Sequence, residues 1–215
     1  MVAMTTGSER RYGGKSAGER AAERRERLLQ AGLELFGGSG FASTTIEQLC
    51  SHAHLNARYF YTEFKTKETL LQAVYDRHVE SVFKLVVAAV GAAPPDPQLR
   101  LEAGLRAFID ASLADPRAAR INYFEIIGVS HALEARRREV LRTYAELVAA
   151  QIEVIGPNLA SSGLDLQMAA TAVVSATDGL ILDLTADPAS AASITAADRE
   201  RIITTLSDLF SRAIT

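Results

Sequence analysis

The sequence predicts an all-α fold, and three observations support this prediction. Apolar residues recur at helical spacing in almost every segment of the 215-residue chain. Clusters rich in Gly, Pro and Ser separate these segments, and none of the segments shows the alternation of a β-strand. Hydrophobic residues make up 48% of the sequence, which is typical of a globular protein with a substantial core. From the length we expect one or two domains.

Charge is distributed unevenly along the chain. The net charge is −3, but residues 1–78 carry eleven Lys or Arg against nine Asp or Glu, whereas residues 79–215 carry twelve against seventeen. A positive end on a negative body indicates a local anionic partner, although a solvated charged tail would give the same pattern. The single Cys50 suits a reducing compartment, and no secretory signal or membrane-spanning stretch is recognisable. We therefore expect a cytoplasmic protein with no membrane partner.

The chain is predicted to begin with a flexible arm that leads into a first helix. Residues 1–20 are rich in Gly, Ser and charge, which is typical of a flexible basic arm. From Ala21 the pattern becomes helical, and the pair Gly37-Gly38 is suited to end the helix.

A second helix of about two turns is expected to follow this glycine pair. Its N-terminus carries two overlapping capping boxes, Thr44 with Glu47 and Thr45 with Gln48. The pattern alone leaves open which of the two forms.

The third and fourth helices are predicted from their N-caps. Asn56 is a favourable N-cap for a third helix from Ala57 to Phe64, and Thr66 can cap a fourth that begins at Lys67. The fourth helix continues for about six turns until clustered prolines in AAPPDP remove hydrogen-bond donors.

The remainder of the chain is predicted to be helical as well. Together with the fourth helix it would form a regulatory and dimerisation domain over residues 67–215. Further helices are expected at 98–114, 117–129, 132–155, 164–186 and 195–214.

The third helix divides its side chains between two faces. Phe60 and Phe64 lie four residues apart and are expected to close a small core with the two preceding helices. Two short helices braced by a third form the helix-turn-helix arrangement, which places one helix in the major groove of DNA. We therefore predict a helix-turn-helix DNA-binding domain over residues 21–66. The opposite face forms a recognition strip of Arg58, Tyr59, Tyr61 and Thr62.

The recognition strip carries groups that suit bases and phosphates. An arginine fork can bond guanine, tyrosine hydroxyls can donate to phosphate, and a threonine can contact a thymine methyl. Whether Arg58 contacts a base or a phosphate stays open, and Tyr59 could instead pack over the neighbouring helix. The helix N-termini at Thr44, Thr45 and Asn56 offer unpaired backbone N–H groups for phosphate oxygens.

Four motifs in residues 22–70 carry a family resemblance. They are RERLLQAGLELF, the glycine turn before FASTTIEQL, the F-Y-x-x-F pattern of the third helix, and K-x-K-E-x-L at the start of the fourth. Together they resemble the DNA-binding region of tetracycline-repressor-like (TetR-type) regulators. This resemblance implies a two-domain homodimer with an inducer pocket in its C-terminal half and a dimer bundle made by its last two helices.

The resemblance also implies roles for individual residues. Glu63 departs from the family pattern, and it would repel phosphate unless its side chain turns aside. Arg58 and Tyr59 stand at positions that are commonly small in relatives, so the operator sequence cannot be transferred. The implied phosphate contacts are Thr45, Tyr61 and Lys67; the implied groove contacts are Arg58, Tyr59 and Thr62; Asn56 and Ala57 form the N-terminal end of the recognition helix.

No metal, cofactor or catalytic site is predicted. The string of Cys50, His52 and His54 lacks zinc-finger spacing, and Cys50 lies on the apolar face of its helix. Phosphate-binding glycine loops and the common hydrolase motifs are also missing from the sequence. We therefore expect that the protein is not an enzyme.

Aromatic and polar residues in the C-terminal half predict a small-molecule pocket. Apolar walls with a few polar groups are typical of such pockets, although each residue could equally belong to an ordinary core. The run Arg136–Arg138 is expected to be a solvated face, and His78 a core or surface residue. The predicted lining comprises Phe83, Phe108, Asn122, Tyr123, Phe124, Tyr144, Met168 and Asp178.

The last two predicted helices are candidates for a dimer interface. The helix at 164–186 is apolar on almost all sides and rich in small residues, so it must be buried against another helix. Paired with 195–214, it would form half of a four-helix interface with two-fold symmetry.

These predictions combine into one functional hypothesis. The chain is expected to be a homodimeric, ligand-responsive repressor that binds a near-palindromic double-stranded operator and is released by a small-molecule inducer. One alternative is an all-α enzyme or small-molecule carrier with a structural N-terminal unit. Another is a dimeric partner-binding protein.

Overall fold

The computed structural model describes residues 16–155, 165–185 and 194–213. Every regular element in these ranges is helical, which confirms the predicted all-α class. The helices are α1 (Ala17–Gly38), α2 (Ile46–His52), α3 (Ala57–Glu63), α4 (Lys67–Ala92), α5 (Pro97–Ser112), α6 (Pro116–Arg120), α7 (His131–Ile155), α8 (Leu166–Leu184) and α9 (Ala196–Ala213).

The chain divides into two compact units, and the boundary between them falls between Val74 and Tyr75, inside α4. The sequence placed the boundary at Lys67, the first residue of the same helix. The difference arises because the first turns of α4 pack on α1: at Gly32, an added Cβ would meet Val74 at 2.9 Å and Leu70 at 3.4 Å.

The start of α1 differs from the sequence prediction. Ser16 and Glu19 form a capping box, in which each side chain accepts a hydrogen bond from the other residue's backbone N–H. The helix therefore begins at Ala17, within the arm that was predicted over residues 1–20. The first fifteen residues of that arm lie outside the described residues.

The loop between α1 and α2 decides which capping box forms. Thr45 and Gln48 cap α2, with N···O distances of 2.7 and 3.2 Å. Thr44 is only 2% exposed, and its hydroxyl donates to the carbonyl of Gly40 at 2.7 Å. Gly40 itself has a φ of 95°, which favours glycine. Thr44 therefore closes the loop, and its predicted capping box with Glu47 does not form. Its predicted contact with DNA stays a prediction.

The core of the N-terminal unit forms around α3, as the sequence predicted. Phe60 is fully buried and Phe64 nearly so, with ring centroids 6.2 Å apart. They share this buried core with Leu28 and Phe36 of α1 and with Leu49 of α2. The rotation of α3 about its axis is thereby fixed.

The helix predicted at 117–129 is shorter and less regular than expected. After α6 the chain continues as a π-helical turn, Ile121–Glu125, in which the N–H of Ile126 donates to the carbonyl of Ile121 at 3.1 Å. Gly128, with a φ of 72°, then leads the chain away from helical geometry. Such π-turns often mark functional sites in proteins.

A second hydrophobic cluster holds the C-terminal unit together. It joins α5, α8 and α9, and its fully or almost fully buried members include Ile109, Ile181 and Ile203. Among the described residues, no helix is both long enough and apolar enough to cross a membrane.

We predict that Gly32→Ala destabilises the N-terminal unit. Alanine would favour the helix by about 1 kcal/mol, but its Cβ would overlap a γ-methyl of Val74, and overpacking costs about 1–3 kcal/mol. Urea denaturation should show a lower free energy of unfolding. Gly38→Ala is the matched control, because a Cβ there meets nothing within 4 Å. A stabilised Gly32→Ala variant would contradict the close packing of α1 on α4.

Candidate functional site

The recognition strip lies on the exposed face of α3. Asn56 caps this helix by accepting a hydrogen bond from the N–H of Tyr59 at 3.2 Å. Arg58 is exposed, and its guanidinium has no partner among the described residues. Tyr61 is 59% exposed, and its ring stands edge-on to Phe60 at 5.5 Å. The hydroxyl of Thr62 donates to the carbonyl of Arg58 at 2.9 Å.

Arg24 of α1 organises the border of this strip. Its guanidinium carbon lies 4.8 Å from the ring centroid of Tyr59, and its Nη2 lies 3.5 Å from Oε1 of Glu63. The Glu63 side chain is only 12% exposed. Its carboxylate thus turns aside toward α1. The Tyr59 ring packs on Arg24 of the neighbouring helix α1. This is one of the two positions considered for Tyr59 from the sequence, the other being a contact with DNA.

Lys67 lies in a different environment from the predicted phosphate contact. Its Nζ donates to the carbonyls of Phe41 and Thr44, both at 2.7 Å. The same ammonium lies 4.3 Å from the centroid of the Phe41 ring. Since two of its three N–H groups bind backbone carbonyls, Lys67 braces the loop between α1 and α2. Thr45, Asn56 and Ala57 are exposed, as their predicted roles require.

The Cys50, His52 and His54 string has a structural explanation. Cys50 is buried, and burial raises the pKa of its thiol. His52 hydrogen-bonds Glu34 at 2.6 Å, and His54 adopts a φ of 51° at the turn after α2. Among the described residues, no group of three potential metal ligands comes together.

A cleft opens within the C-terminal unit, between α4, α5, α7, α8 and the π-turn. The space between its lining atoms amounts to about 410 Å³, and part of this space is open to solvent. The cleft is lined by Tyr75, His78, Val79, Val82, Phe108, Ser112, Asn122, Tyr123, Arg137, Val140, Leu141, Tyr144 and Asp178.

Five of the eight predicted pocket residues line this cleft. They are Phe108, Asn122, Tyr123, Tyr144 and Asp178.

The other three predicted pocket residues lie elsewhere. Met168 is 69% exposed on the first turn of α8. Phe124 is absent from the lining and packs against the cluster of α5, α8 and α9. Phe83 stands behind the lining, with its ring 5.4 Å from that of Tyr144.

Polar lining residues were missed by sequence reasoning. Arg137 forms a largely buried ion pair with Asp178, which joins α7 to α8, and Arg136 bonds Asp76 at 2.7 Å. The predicted solvated face is therefore wrong for Arg137, whereas the Arg136 side chain is 32% exposed and Arg138 is exposed. A signal was present in the helical spacing of the apolar lining, because Arg137 shares one face of α7 with Val140, Leu141 and Tyr144.

Burial shifts the titration of the groups that line the cleft. Desolvation raises the pKa of Asp178, and Arg137 opposes this shift. Desolvation lowers the pKa of His78, and Asp115 opposes that shift only in part. The pKa values of Tyr75, Tyr123 and Tyr144 rise for the same reason. The uncharged forms of His78 and of the tyrosines are therefore favoured.

Two family descriptions match the chain. Residues 28–74 match bacterial regulatory proteins of the tetR family, and residues 126–212 match the tetracyclin repressor-like C-terminal domain. The two matches together cover more than half of the sequence. The chain belongs to the TetR family of bacterial regulatory proteins. This confirms the resemblance seen in the sequence, and members of the family are transcriptional regulators rather than enzymes.

Curated relatives of this TetR-family chain share part of its length. It is 31% identical to the transcriptional activator FasR of Mycolicibacterium smegmatis over 122 residues, which are 56% of this chain and 55% of FasR. It is 28% identical to the regulator EthR of the same species over 54% of this chain and 55% of EthR. It is 29% identical to the regulator YerO of Bacillus subtilis over 38% of this chain and 29% of YerO. The matched region thus spans about half the length of these relatives, or less.

Solved structures share the fold of this TetR-family chain. A transcriptional regulator from Pseudomonas aeruginosa PAO1 has a TM-score of 0.73 and 21% identity, over 90% of this chain and 95% of that one. FadR from Bacillus subtilis, solved in complex with stearoyl-CoA, has a TM-score of 0.72 and 14% identity, over 86% and 96% of the respective chains. At these identities the likeness establishes the fold alone.

We predict that Arg137→Met lowers the free energy of unfolding by about 3 kcal/mol at pH 7, because Asp178 loses its buried partner. The folded-state pKa of Asp178 would rise further above its unfolded value. At a pH between the unfolded-state and the folded-state pKa of Asp178, the folded state binds more protons than the unfolded state. The free energy of unfolding of the variant therefore falls as pH rises through this range. Urea denaturation at pH 7 and pH 5 should show a smaller deficit at pH 5. Arg138→Met, at an exposed neighbouring position, is the control, and an equal deficit in both variants would exclude a special role for the pair.

Proposed function

We propose that this TetR-family chain acts in the cytoplasm as a homodimer that binds operator DNA through α3 and responds to a small molecule in the cleft. The observation that carries the proposal is the exposed recognition strip, held opposite the buried Phe60 and Phe64. Arg58, at the centre of the strip, has no partner within the described part of the chain and is available to DNA, whereas Glu63 is held aside by Arg24.

The proposed mode of DNA binding follows from the geometry of a two-turn helix. Arg58, Tyr61 and Thr62 would enter the major groove, and Tyr59 would contact DNA only at the edge of the strip. The exposed Thr45, Asn56 and Ala57 would approach phosphates or the groove wall. Two copies of α3 in a dimer would read half-sites about 34–36 Å apart on a near-palindromic operator.

Dimerisation is proposed through α8 and α9. The exposed side of α8 carries Met168, Gly179 and Leu180, and α9 exposes Leu209. Exposed apolar side chains beside small residues allow close approach of a second helix pair. A four-helix interface between two copies would cover them.

Regulation is proposed to work through a shift between dimer states. A molecule bound in the cleft would release DNA if it prefers a state with unsuitable spacing between the two recognition helices. Repression relieved by an inducer is the simplest output of this scheme. Activation is the second candidate, because the relative FasR is named a transcriptional activator.

Salt-dependent binding to DNA from the chain's own promoter tests the proposal. Neutralised phosphates release counterions, so log K should fall steeply and linearly with log salt concentration. Weak binding with no salt dependence, or no binding to any duplex selected from a random library, would exclude a DNA-binding function.

We predict that Arg58→Ala weakens operator binding by about 1–3 kcal/mol and relaxes preference at one base pair, if its fork reads guanine. Quantitative binding to a library of single-base operator variants measures both effects. Arg138→Ala, which removes an exposed arginine from the C-terminal unit, serves as the control. Uniform weakening across all operator variants would assign Arg58 to a phosphate instead.

We predict that Leu180→Glu and Leu209→Glu shift the protein toward monomers, because each places a charge within the proposed apolar interface. Sedimentation velocity should show a dimer dissociation constant raised by about tenfold or more. Leu99→Glu is the matched control, since Leu99 is comparably exposed, at 47%, but lies on α5. Equal effects of all three substitutions would place the interface elsewhere.

A further inference from the structure

We propose that the cleft selects an uncharged, largely apolar ring compound that donates a hydrogen bond to Asn122, and that it discriminates against the carboxylate of the same skeleton. This inference rests on the ligand site of the proposed function and names the chemistry that the site would accept. It follows from three properties of the lining: unpartnered polar atoms, internally neutralised charge and aromatic walls.

The unpartnered atoms are Nε2 of His78 and Oδ1 of Asn122. Both are buried, and neither has a hydrogen-bond partner among the described residues. Both residues line the cleft, His78 from α4 and Asn122 from the π-turn. Buried polar atoms are almost always satisfied in folded proteins, so two orphans at one cleft indicate a missing partner. An amide oxygen can only accept, and its partner must therefore be a donor.

The charge within the cleft is already balanced. Arg137 and Asp178 are the charged residues of the lining, and they form an ion pair with each other. Burial favours the neutral form of His78, so the described residues that line the cleft offer no unpaired cation to a carboxylate. An anion would have to lose its hydration without gaining a counterion, which is strongly unfavourable in a buried site. An uncharged molecule avoids this loss.

The walls of the cleft favour rings. Phe108 and Tyr144 meet edge to face with centroids 5.1 Å apart, and Tyr75 and Tyr123 line the same space. Valine and leucine side chains of α4 and α7 complete the apolar surface. Aromatic side chains prefer offset or edge-on contacts with another ring. A planar, ring-bearing molecule would therefore gain contacts that a flexible chain would not.

Matched pairs of small molecules test this selectivity on the full-length protein without DNA. The probes are aryl primary amides of one to three fused rings, each paired with the carboxylate of the same skeleton. Isothermal titration calorimetry at pH 7.5 (a pH of about 7 or above keeps the carboxylates ionised) measures both affinities. At least one amide is expected to bind about tenfold or more tightly than its carboxylate, because only the amide supplies a donor and carries no charge.

Asn122→Leu separates a binding role from a structural one. Leucine removes an unsatisfied buried acceptor, so the unliganded variant should be as stable as the parent or more stable in urea. Its affinity for the amide should nevertheless fall by about fivefold or more. His78→Leu is expected to act in the same way and serves as a second variant. Gln98→Leu, the same kind of change on the exposed start of α5, should alter neither quantity.

Three results would overturn the inference. The first is an equal or higher affinity for the carboxylates, and the second is failure of every amide to bind. The third is preferential binding of stearoyl-CoA that neither Asn122→Leu nor His78→Leu affects. Because these measurements contain no DNA, they are independent of the proposed regulatory function. Amide binding without any effect on operator binding would uphold the ligand chemistry and exclude ligand-controlled release.

Discussion

The N-terminal unit depends on the burial of Phe60 in a helix of only two turns. The one buried face of α3 carries Phe60, and Phe64, directly after the helix, is buried beside it. With that face fixed, Arg58, Tyr61 and Thr62 have no direction left except outward. The same apolar contact that stabilises the unit therefore also orients the groups that would meet DNA. The rotation of α3 about its own axis thus determines both which side chains are buried and which are exposed.

Polar contacts around this core refine the recognition strip. Arg24 draws Glu63 toward α1, so the acidic residue of α3 lies away from an approaching phosphate. Lys67 and Thr44 bind backbone carbonyls between α1 and α2, which fixes the loop that leads into the second helix. In this structure these residues hold the loop and the border of the recognition strip in place. The charge that remains available on α3 is Arg58.

In the C-terminal unit, α8 links the cleft with the proposed dimer surface. Asp178 lines the cleft and pairs with Arg137, whereas the next two residues, Gly179 and Leu180, lie on the exposed side of the same helix. A molecule that changes the ion pair would act on the helix that is proposed to contact a second protomer. Because packed helices shift as units, this arrangement provides a physical path from ligand to dimer geometry.

The sequence by itself determined the all-α class, the positions of α2 to α4 and the two faces of α3, because these features follow from local periodicity and capping. Five pocket residues were also recognisable as aromatic or polar positions in helices. Only the tertiary structure decided that Thr44 and Lys67 close a loop, that Met168 lies on the surface, and that Arg137 pairs with Asp178 across two helices. The contacts of Lys67 with Thr44 and of Arg137 with Asp178 join residues 23 and 41 positions apart. Periodicity carries no information on which faces of separate helices meet.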